Sequence, residues 1–203
     1  MKKLILAITL AIFFIGCQNQ ESTNIAQENT PKQIKVGEEI TLNSVFDSNI
    51  TIVRTQNGFK LKDSNKIIMF DIFGTFCEPC RAEASNLMDY QLKNSNDMMM
   101  IGLIHFENIT NKEIIENFSK KYNAYYFITN SDRNADIVEQ ILKDIDYKDA
   151  LQIPFKVVLK DGKYQKLSDN LRKNSTEMKN FYLGYVTVPL LQNDLERIKN
   201  ASN

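Results

Sequence analysis

The chain of 203 residues is 43% apolar and 25% charged, which is enough to build one domain around a sizeable hydrophobic core. Lysine and arginine together number 25, and so do aspartate and glutamate. Because this balance provides no basic surface field for a phosphate backbone, we expect no nucleic-acid partner.

The amino terminus has the pattern of a secretory leader. Two lysines precede an apolar run over residues 4–15, which ends at Gly16-Cys17. A membrane-spanning helix needs roughly 20 apolar residues, so this run is too short to persist as one. We therefore predict that residues 1–16 are a signal peptide that is removed. An ordinary leader, in which Cys17 has no role of its own, is the alternative to the lipoprotein leader described next.

Residues 14–17, Phe-Ile-Gly-Cys, resemble the lipobox of bacterial lipoproteins, with phenylalanine where the motif usually has an aliphatic residue. The resemblance implies that Cys17 carries a lipid anchor that holds the protein on a membrane. Residues 17–33 are polar and are predicted to form a lipidated flexible tether, with residues 34–203 as the folded domain. Gln18, in place of a retention aspartate, leans toward the outer membrane under rules that differ among bacteria, so inner and outer membrane both stay open.

The first half of the domain reads as strand, helix and strand. Short apolar segments at residues 39–42, 50–54 and 59–61 predict a small N-terminal β-hairpin. Dense apolar runs at residues 66–73 and 98–104 predict two central strands buried on both faces. A helix is predicted between these strands from the apolar residues Ala82, Leu87 and Leu92.

The second half continues the alternation. Thr110 and Glu113 fit a capping box, which predicts a helix with its inner face at Ile114, Ile115 and Phe118. Further elements are predicted as a strand at 125–128, a helix at 136–145, a hairpin of 155–159 and 164–167 around Asp161-Gly162, and a final helix from Thr187. Strands that alternate with helices indicate an α/β domain.

Cys77 and Cys80 form a C-x-x-C pair between the buried strand and the helix. The free N–H groups at a helix start stabilise an anion, so the Cys77 thiolate is favoured. Pro79 fits the first turn because its missing N–H would have been unpaired there. Glu78 opposes the thiolate by like-charge repulsion, which favours a reducing pair. Cys77 is predicted to be the attacking sulfur and Cys80 the less exposed, resolving one.

Metal binding is the alternative use of this cysteine spacing. Zinc ribbons need a second pair of cysteine or histidine ligands, whereas Cys17 is assigned to lipid and His105 is the single histidine of the chain. A zinc or copper site would have to be completed by carboxylates, so we predict neither a metal nor another cofactor.

Residues 71–83, DIFGTFCEPCRAE, resemble the signature of the TlpA/ResA-type thioredoxin-like thiol:disulfide oxidoreductases. Phe73 and Phe76 replace the two tryptophans of that signature. Ile153-Pro154 resembles the cis-proline of the family, with Phe155 in place of the usual threonine. The resemblance covers roughly residues 36–198. It implies an α/β thioredoxin fold with a small N-terminal β-hairpin extension and an inserted helix before the cis-proline.

The resemblance also implies site residues. Cys77 and Cys80 form the redox disulfide, Glu83 matches an active-site glutamate, and Asp71 matches a buried aspartate that exchanges a proton with the resolving thiol. Burial on an apolar strand would raise the pKa of such a carboxylate. The alternatives are a solvated strand position for Asp71 and an ordinary exposed helix position for Glu83. The implied client contacts are Phe76, Glu78, Pro79, Ile153 and Pro154.

These features lead to the hypothesis of a lipid-anchored enzyme that faces the periplasm and reduces disulfides of exported proteins. Apocytochrome c is the client class that the resemblance implies, and electrons would come from a membrane thiol-reducing donor of the DsbD or CcdA type. One alternative reverses the chemistry and makes the chain a disulfide oxidase or isomerase. Another is a non-catalytic binding lipoprotein.

Overall fold

A computed structural model describes residues 31–172 and 174–201 of the chain. The predicted signal peptide, the predicted lipid anchor at Cys17 and most of the predicted tether lie outside these residues. At the start of the described part, the Lys32 N–H donates to Asp136 Oδ1 at 2.7 Å, and Ile34 is buried.

An antiparallel sheet of three strands opens the domain. Its strands are β1 (Glu39–Asn43), β2 (Asn49–Arg54) and β3 (Phe59–Leu61), with β2 in the middle. The predicted hairpin is therefore part of a three-stranded sheet, in which the predicted segment 59–61 pairs with β2 through Leu61 and Ile52. Inward side chains on alternate positions, such as Ile40 and Leu42, are fully buried, as expected for a sheet with one face on a core.

The main sheet has six strands in the described residues. The elements of the first half are β4 (Ile67–Phe73), α1 (Glu78–Lys93), β5 (Met98–Ile104), α2 (Asn111–Ile114), a π-helical turn (Ile115–Ser119), α3 (Lys120–Tyr122) and β6 (Phe127–Thr129). The elements of the second half are α4 (Asn134–Asp144), β7 (Phe155–Lys160), β8 (Lys163–Tyr164), β9 (Leu167–Ser168), β10 (Met178–Lys179), β11 (Tyr182–Leu183) and α5 (Val188–Asn200). The strand order is β11-β7-β4-β5-β6, and β8 pairs with β7.

Strand β4 lies at the centre and divides two hydrophobic cores. Its pairing is parallel with β5 and antiparallel with β7. Successive strand side chains point to opposite faces. Met69 and Phe73 therefore face the core that includes residues of α1 and α5, whereas Phe70 and Ile72 face the core of α4 and the N-terminal sheet. All seven residues of β4 are buried, as the apolar run predicts.

The helix predicted between the two central strands is confirmed as α1. Of the three apolar residues that predicted it, Leu87 is buried, whereas Leu92 is 60% exposed and Ala82 is also exposed. Buried residues follow the helical repeat instead and are Cys80, Glu83, Ala84, Leu87 and Tyr90.

The predicted strand at 164–167 is interrupted. Only Lys163–Tyr164 pairs with β7, and Leu167–Ser168 pairs with β10 in a separate small sheet. The turn between β7 and β8 is the predicted one, with Asp161 at φ 52° and Gly162 at φ 75°. Positive φ at both positions is the geometry of a tight two-residue hairpin turn.

Candidate redox site

The cysteine pair lies at the start of α1, directly beyond the end of β4. Cys77 is the N-cap residue of the helix, and Pro79 occupies its first turn. Cys77 and Cys80 form a disulfide with a Cα–Cα separation of 5.3 Å. The Cys80 N–H donates to Cys77 Sγ at 3.3 Å, so a helix-start donor already points at the first sulfur. The same donor would stabilise a Cys77 thiolate after reduction.

The loop before Cys77 is held by two residues that the sequence interpretation missed. Glu107, which follows β5, accepts hydrogen bonds from the Thr75 N–H and from the Thr75 hydroxyl, the latter at 2.7 Å. Arg81 Nε donates to the Thr75 carbonyl oxygen at 2.6 Å. These contacts fix the backbone two residues before Cys77. No sequence motif marks Glu107, because its position depends on how the loops pack.

A buried ion cluster lies beneath the cysteine pair, on the same face of the sheet. Asp71 of β4 and Lys156 of β7 are directly paired across the two antiparallel strands. Lys156 Nζ lies 3.2 Å from Asp71 Oδ1, an ionic contact without the directional geometry of a hydrogen bond. Lys156 Nζ also donates to Glu83 Oε1 of α1. The side chains of these three residues are at most 2% exposed.

Glu83 completes this cluster from the helix. Its second oxygen, Oε2, accepts a hydrogen bond from the Val186 N–H at 3.1 Å. Burial raises the pKa of Glu83 to about 7 and the charge of Asp71 adds to the rise, although the Lys156 ammonium acts in the opposite direction. Burial also disfavours the charged form of Lys156, but the two carboxylates offset this and hold its pKa above the ordinary value.

Tyr126 reaches Asp71 from the loop before β6. Its hydroxyl donates to Asp71 Oδ2 at 3.4 Å, and the pKa of this phenol is raised well above its ordinary value by burial and by the nearby carboxylates. Gly102 of β5 makes room for the ring, since a Cβ there would lie 3.0 Å from Tyr126 Cε2 and 2.9 Å from Phe73 Cε1. A larger residue at this position would push the two rings apart.

Pro154 lies at the same edge of the sheet as the cysteine loop. The Ile153–Pro154 peptide bond is cis, as the sequence interpretation predicts. Ile72 of β4 pairs with Phe155 of β7, which places Pro154 opposite the last residue of β4, next to the start of the loop. The Pro154 carbonyl oxygen accepts a hydrogen bond from the Gly184 N–H at 2.8 Å.

Several solved structures have a similar fold. A thiol:disulfide interchange protein of the thioredoxin family from Chlorobium tepidum TLS is 14% identical, with a TM-score of 0.51 over 83% of this chain and 98% of that one. The thioredoxin domain of a thiol-disulfide oxidoreductase from Bacteroides vulgatus is 13% identical, with a TM-score of 0.50 over 84% and 100%. A candidate protein disulfide isomerase from Bacteroides thetaiotaomicron is 16% identical, with a TM-score of 0.52 over 83% and 89%.

The chain has a thioredoxin fold. The comparisons confirm the predicted α/β class, to which the small N-terminal antiparallel sheet is added. No protein-family model and no curated protein sequence matches the chain.

Within the thioredoxin fold, the predicted site residues separate into an exposed rim and a buried floor. Phe76 is 53% exposed, and Glu78 and Pro79 are also exposed beside Cys77. Asp71 and Glu83 are buried, so the solvated alternative for Asp71 and the exposed alternative for Glu83 are both wrong. Ile153 is half-buried near the rim.

Lys156 is the residue of this floor that the sequence interpretation missed. A usable signal was present, because Lys156 stands between the apolar residues Phe155 and Val157 inside the strand FKVVLK. Strand alternation places Lys156 and Val158 on the face of α1, and Asp71 lies on that face too. A charged residue on a strand buried on both sides calls for a partner of opposite charge.

His105 lies at the end of β5 and stacks edge-on against Phe106, with ring centroids 4.3 Å apart. Burial lowers the pKa of its imidazole. Within residues 31–172 and 174–201, no three histidine, cysteine, aspartate or glutamate side chains are grouped as ligands of one ion. In the same part of the chain, no helix is both long and apolar enough to span a membrane.

Proposed function

We propose that this chain is a thiol:disulfide oxidoreductase that exchanges disulfides with client proteins through Cys77 and Cys80. The observation that carries the proposal is the Cys77–Cys80 disulfide at the first turn of α1, with the Cys80 N–H directed at Cys77 Sγ. A helix start lowers the pKa of a cysteine placed there, and the thiolate is the form that attacks a disulfide.

In the reducing direction the reaction has two exchange steps. The Cys77 thiolate attacks one sulfur of the client disulfide, which forms a mixed disulfide and releases the other client sulfur as a thiolate. Cys80 then loses its proton and attacks Cys77 Sγ, which restores the Cys77–Cys80 disulfide and releases the second client thiolate. Two electrons pass to the client, whose thiolates take up two protons.

Glu83 is the acceptor that this proposal assigns to the Cys80 proton. Cys80 and Glu83 are three residues apart on α1 and are both buried, so they lie on the same face of the helix. A carboxyl with a pKa of about 7 exists in both protonation states near neutral pH, as a proton acceptor must. Asp71 has the supporting role of a second carboxylate in the same buried cluster.

Client docking is assigned to the exposed rim around Cys77. A groove of ≈ 560 Å³ runs along Phe76, Glu78, Arg81, Ala82 and Tyr122. Phe76 offers an apolar contact beside the reactive sulfur. Pro79, Ile153 and Pro154 are the further proposed client contacts, since they border the same edge of the sheet.

The location and direction of the reaction are also proposals. Cys17 would carry the lipid that anchors the protein at the periplasmic side of an envelope membrane, with exported proteins such as apocytochrome c as clients. A membrane donor of the DsbD or CcdA type would re-reduce the pair. Lipid labelling and membrane fractionation of the Cys17→Ser variant test the anchor, because this variant should lose the label and leave the membrane.

The reduction potential of the Cys77–Cys80 pair tests the function and its direction. The purified protein is equilibrated in defined thiol buffers, with the Cys77→Ser variant as the control that cannot form the pair. A value below about −250 mV is expected for a reductase, and a value above about −150 mV would point to an oxidase. A pair that forms no reversible disulfide would contradict the proposed enzyme.

A Cys80→Ser variant tests the client class. This variant can attack through Cys77 but cannot resolve, so it should accumulate a mixed disulfide with an oxidised peptide that carries the haem-attachment cysteines of apocytochrome c. The Cys77→Ser variant is the matched control and should trap none. A similar yield from both variants would contradict attack by Cys77.

A further inference from the structure

Lys156 is a fully buried lysine on a central strand. Strand pairing is made by backbone groups, so it does not require a charged side chain at this position. Apart from Asp71, the neighbours of Lys156 on the same face of β4 and β7 include the apolar residues Met69, Phe73 and Val158. Removing charges from water is costly, and buried ion clusters are often replaceable by apolar side chains without loss of stability. Stability alone therefore does not account for a charge at this position.

The charged and titratable groups around Lys156 come from each element packed against it. Asp71 is contributed by β4 at 3.2 Å and Glu83 by α1 in direct hydrogen bond. Tyr126, before β6, contacts the cluster through Asp71, and the Val186 N–H, before α5, contacts it through Glu83. One cation thus faces two carboxylates, so one carboxylate is left without a full counter-charge when both are ionised.

The position of this cluster connects it to the resolving cysteine. Glu83 follows Cys80 by one helical turn, with both side chains buried against the face of the sheet that carries Asp71 and Lys156. Two carboxylates that share a buried site without a cation hold one proton tightly. A cation between them lets that proton leave, which is the condition for accepting a new one from a thiol.

We propose that Lys156 is a positioning residue for disulfide exchange, which keeps Glu83 able to accept the Cys80 proton by neutralising Asp71 beside it. This inference rests on the proposed oxidoreductase function. In the step concerned, the Cys80 proton moves to a Glu83 oxygen and Cys80 Sγ bonds to Cys77 Sγ. The client thiolate leaves from Cys77 and is protonated from solvent, and Glu83 then returns its proton to solvent.

The two charged neighbours of Glu83 in this cluster shift its pKa in opposite directions. The ammonium of Lys156 lowers the pKa of Glu83, and the charge of Asp71 raises it. Loss of Lys156 should therefore move the titration of Glu83 to higher pH, and loss of Asp71 should move it to lower pH. A residue that merely filled space would produce neither shift.

The test follows the two exchange steps separately. The reduced full-length protein is mixed with an aromatic disulfide whose released thiolate absorbs visible light, so attack by Cys77 gives a first phase and resolution by Cys80 a second. The second-phase rate is recorded against pH. In the wild type it should rise with a midpoint near the Glu83 pKa of about 7.

In Lys156→Met we expect the second-phase midpoint to rise by at least one pH unit, which lowers the rate at pH 7 by about fivefold or more, whereas the first phase keeps its rate. In Asp71→Asn the midpoint should fall below that of the wild type. The double variant Asp71→Asn, Lys156→Met should return toward the wild type, because it removes two opposing charges.

Lys160→Met is the matched control from the same strand. The Lys160 ammonium donates to the carbonyl oxygens of Ile198, Lys199 and Ala201 at the end of α5, away from the cluster. This control should leave the midpoint unchanged. An unmoved midpoint in Lys156→Met, or an equal shift in Lys160→Met, would overturn the inference while the two phases of the wild type still support the enzyme.

If Lys156→Met does not fold, the comparison of Asp71→Asn with the double variant tests the proposed role of Lys156. The inference then requires a higher second-phase midpoint in the double variant, and equal midpoints would overturn it. A wild-type protein without any second phase would instead contradict the proposed function itself.

Discussion

Glu83 and Asp194 are two buried carboxylates on α1 and α5, the helices that cover the same face of the main sheet, but the protein surrounds them differently. Asp194 accepts hydrogen bonds from the Ser168 N–H at 2.7 Å, the Ser168 hydroxyl at 2.8 Å, the Tyr182 hydroxyl and the Arg197 guanidinium. Among the residues that the structure describes, Glu83 accepts only from Lys156 and from the Val186 N–H.

The two acids show that burial by itself does not decide a pKa. Burial raises the pKa of Asp194, but its hydrogen bonds, from Tyr182 and Arg197 above all, more than reverse this and leave the pKa below the ordinary value. At Glu83 burial prevails, and the pKa rises to about 7. Four donors make a permanent anion that ties α5 to its neighbours, whereas two donors and a nearby second carboxylate leave a group that can exchange a proton.

The largest expected effect is on stability in Asp194→Ala. This change leaves the Tyr182 and Ser168 donors without their acceptor, so we expect a loss of about 4 kcal/mol in the free energy of unfolding at pH 7. The loss should shrink as the pH falls below the ordinary Asp pKa of 3.8, because the unfolded state then binds a proton that the folded wild type takes up only at still lower pH. Urea unfolding measures both, and an unchanged Cys77–Cys80 potential is the accompanying expectation. A stability loss below 1 kcal/mol would contradict the structural role that distinguishes Asp194 from Glu83.

The next effect is a change of pH dependence in Glu83→Gln. Because the pKa of Glu83 is raised from 4.5 to about 7, the folded state keeps a proton that the unfolded state has lost. The free energy of unfolding of the wild type should therefore fall as the pH rises through this window, by about 3 kcal/mol. Urea unfolding at several pH values should show this slope weakened in the variant. An equally steep slope in Glu83→Gln would assign the proton to another group.

The smallest effect is expected in Tyr126→Phe. The variant removes a single long hydrogen bond to Asp71, which costs about 1 kcal/mol in the free energy of unfolding. Tyr125→Phe is the matched control, since Tyr125 is 47% exposed, and it should change stability by less than about 0.5 kcal/mol. Equal effects of the two changes would show that the Tyr126 hydroxyl contributes nothing to the cluster.

Features encoded by a few neighbouring residues could be predicted from the sequence, whereas features that depend on tertiary contacts could not. The apolar run of β4, the capping box at Thr110 and the turn at Asp161-Gly162 are local patterns, and the structure has each of them. The buried face of α1 was not predicted, because it includes the charged Glu83, which a pattern of apolar residues does not mark. The π-helical turn between α2 and α3 has no sequence signal of its own.

The sequence by itself determined where the reactive sulfurs lie, because a strand end, a helix start and a proline are encoded within a few neighbouring residues. The tertiary structure alone decided the electrostatics beneath them. Asp71, Glu83 and Lys156 meet only through the register of β4 with β7 and the packing of α1 on the sheet. Because register and helix packing depend on contacts between distant parts of the chain, no local pattern could have shown that a lysine lies between the two acids.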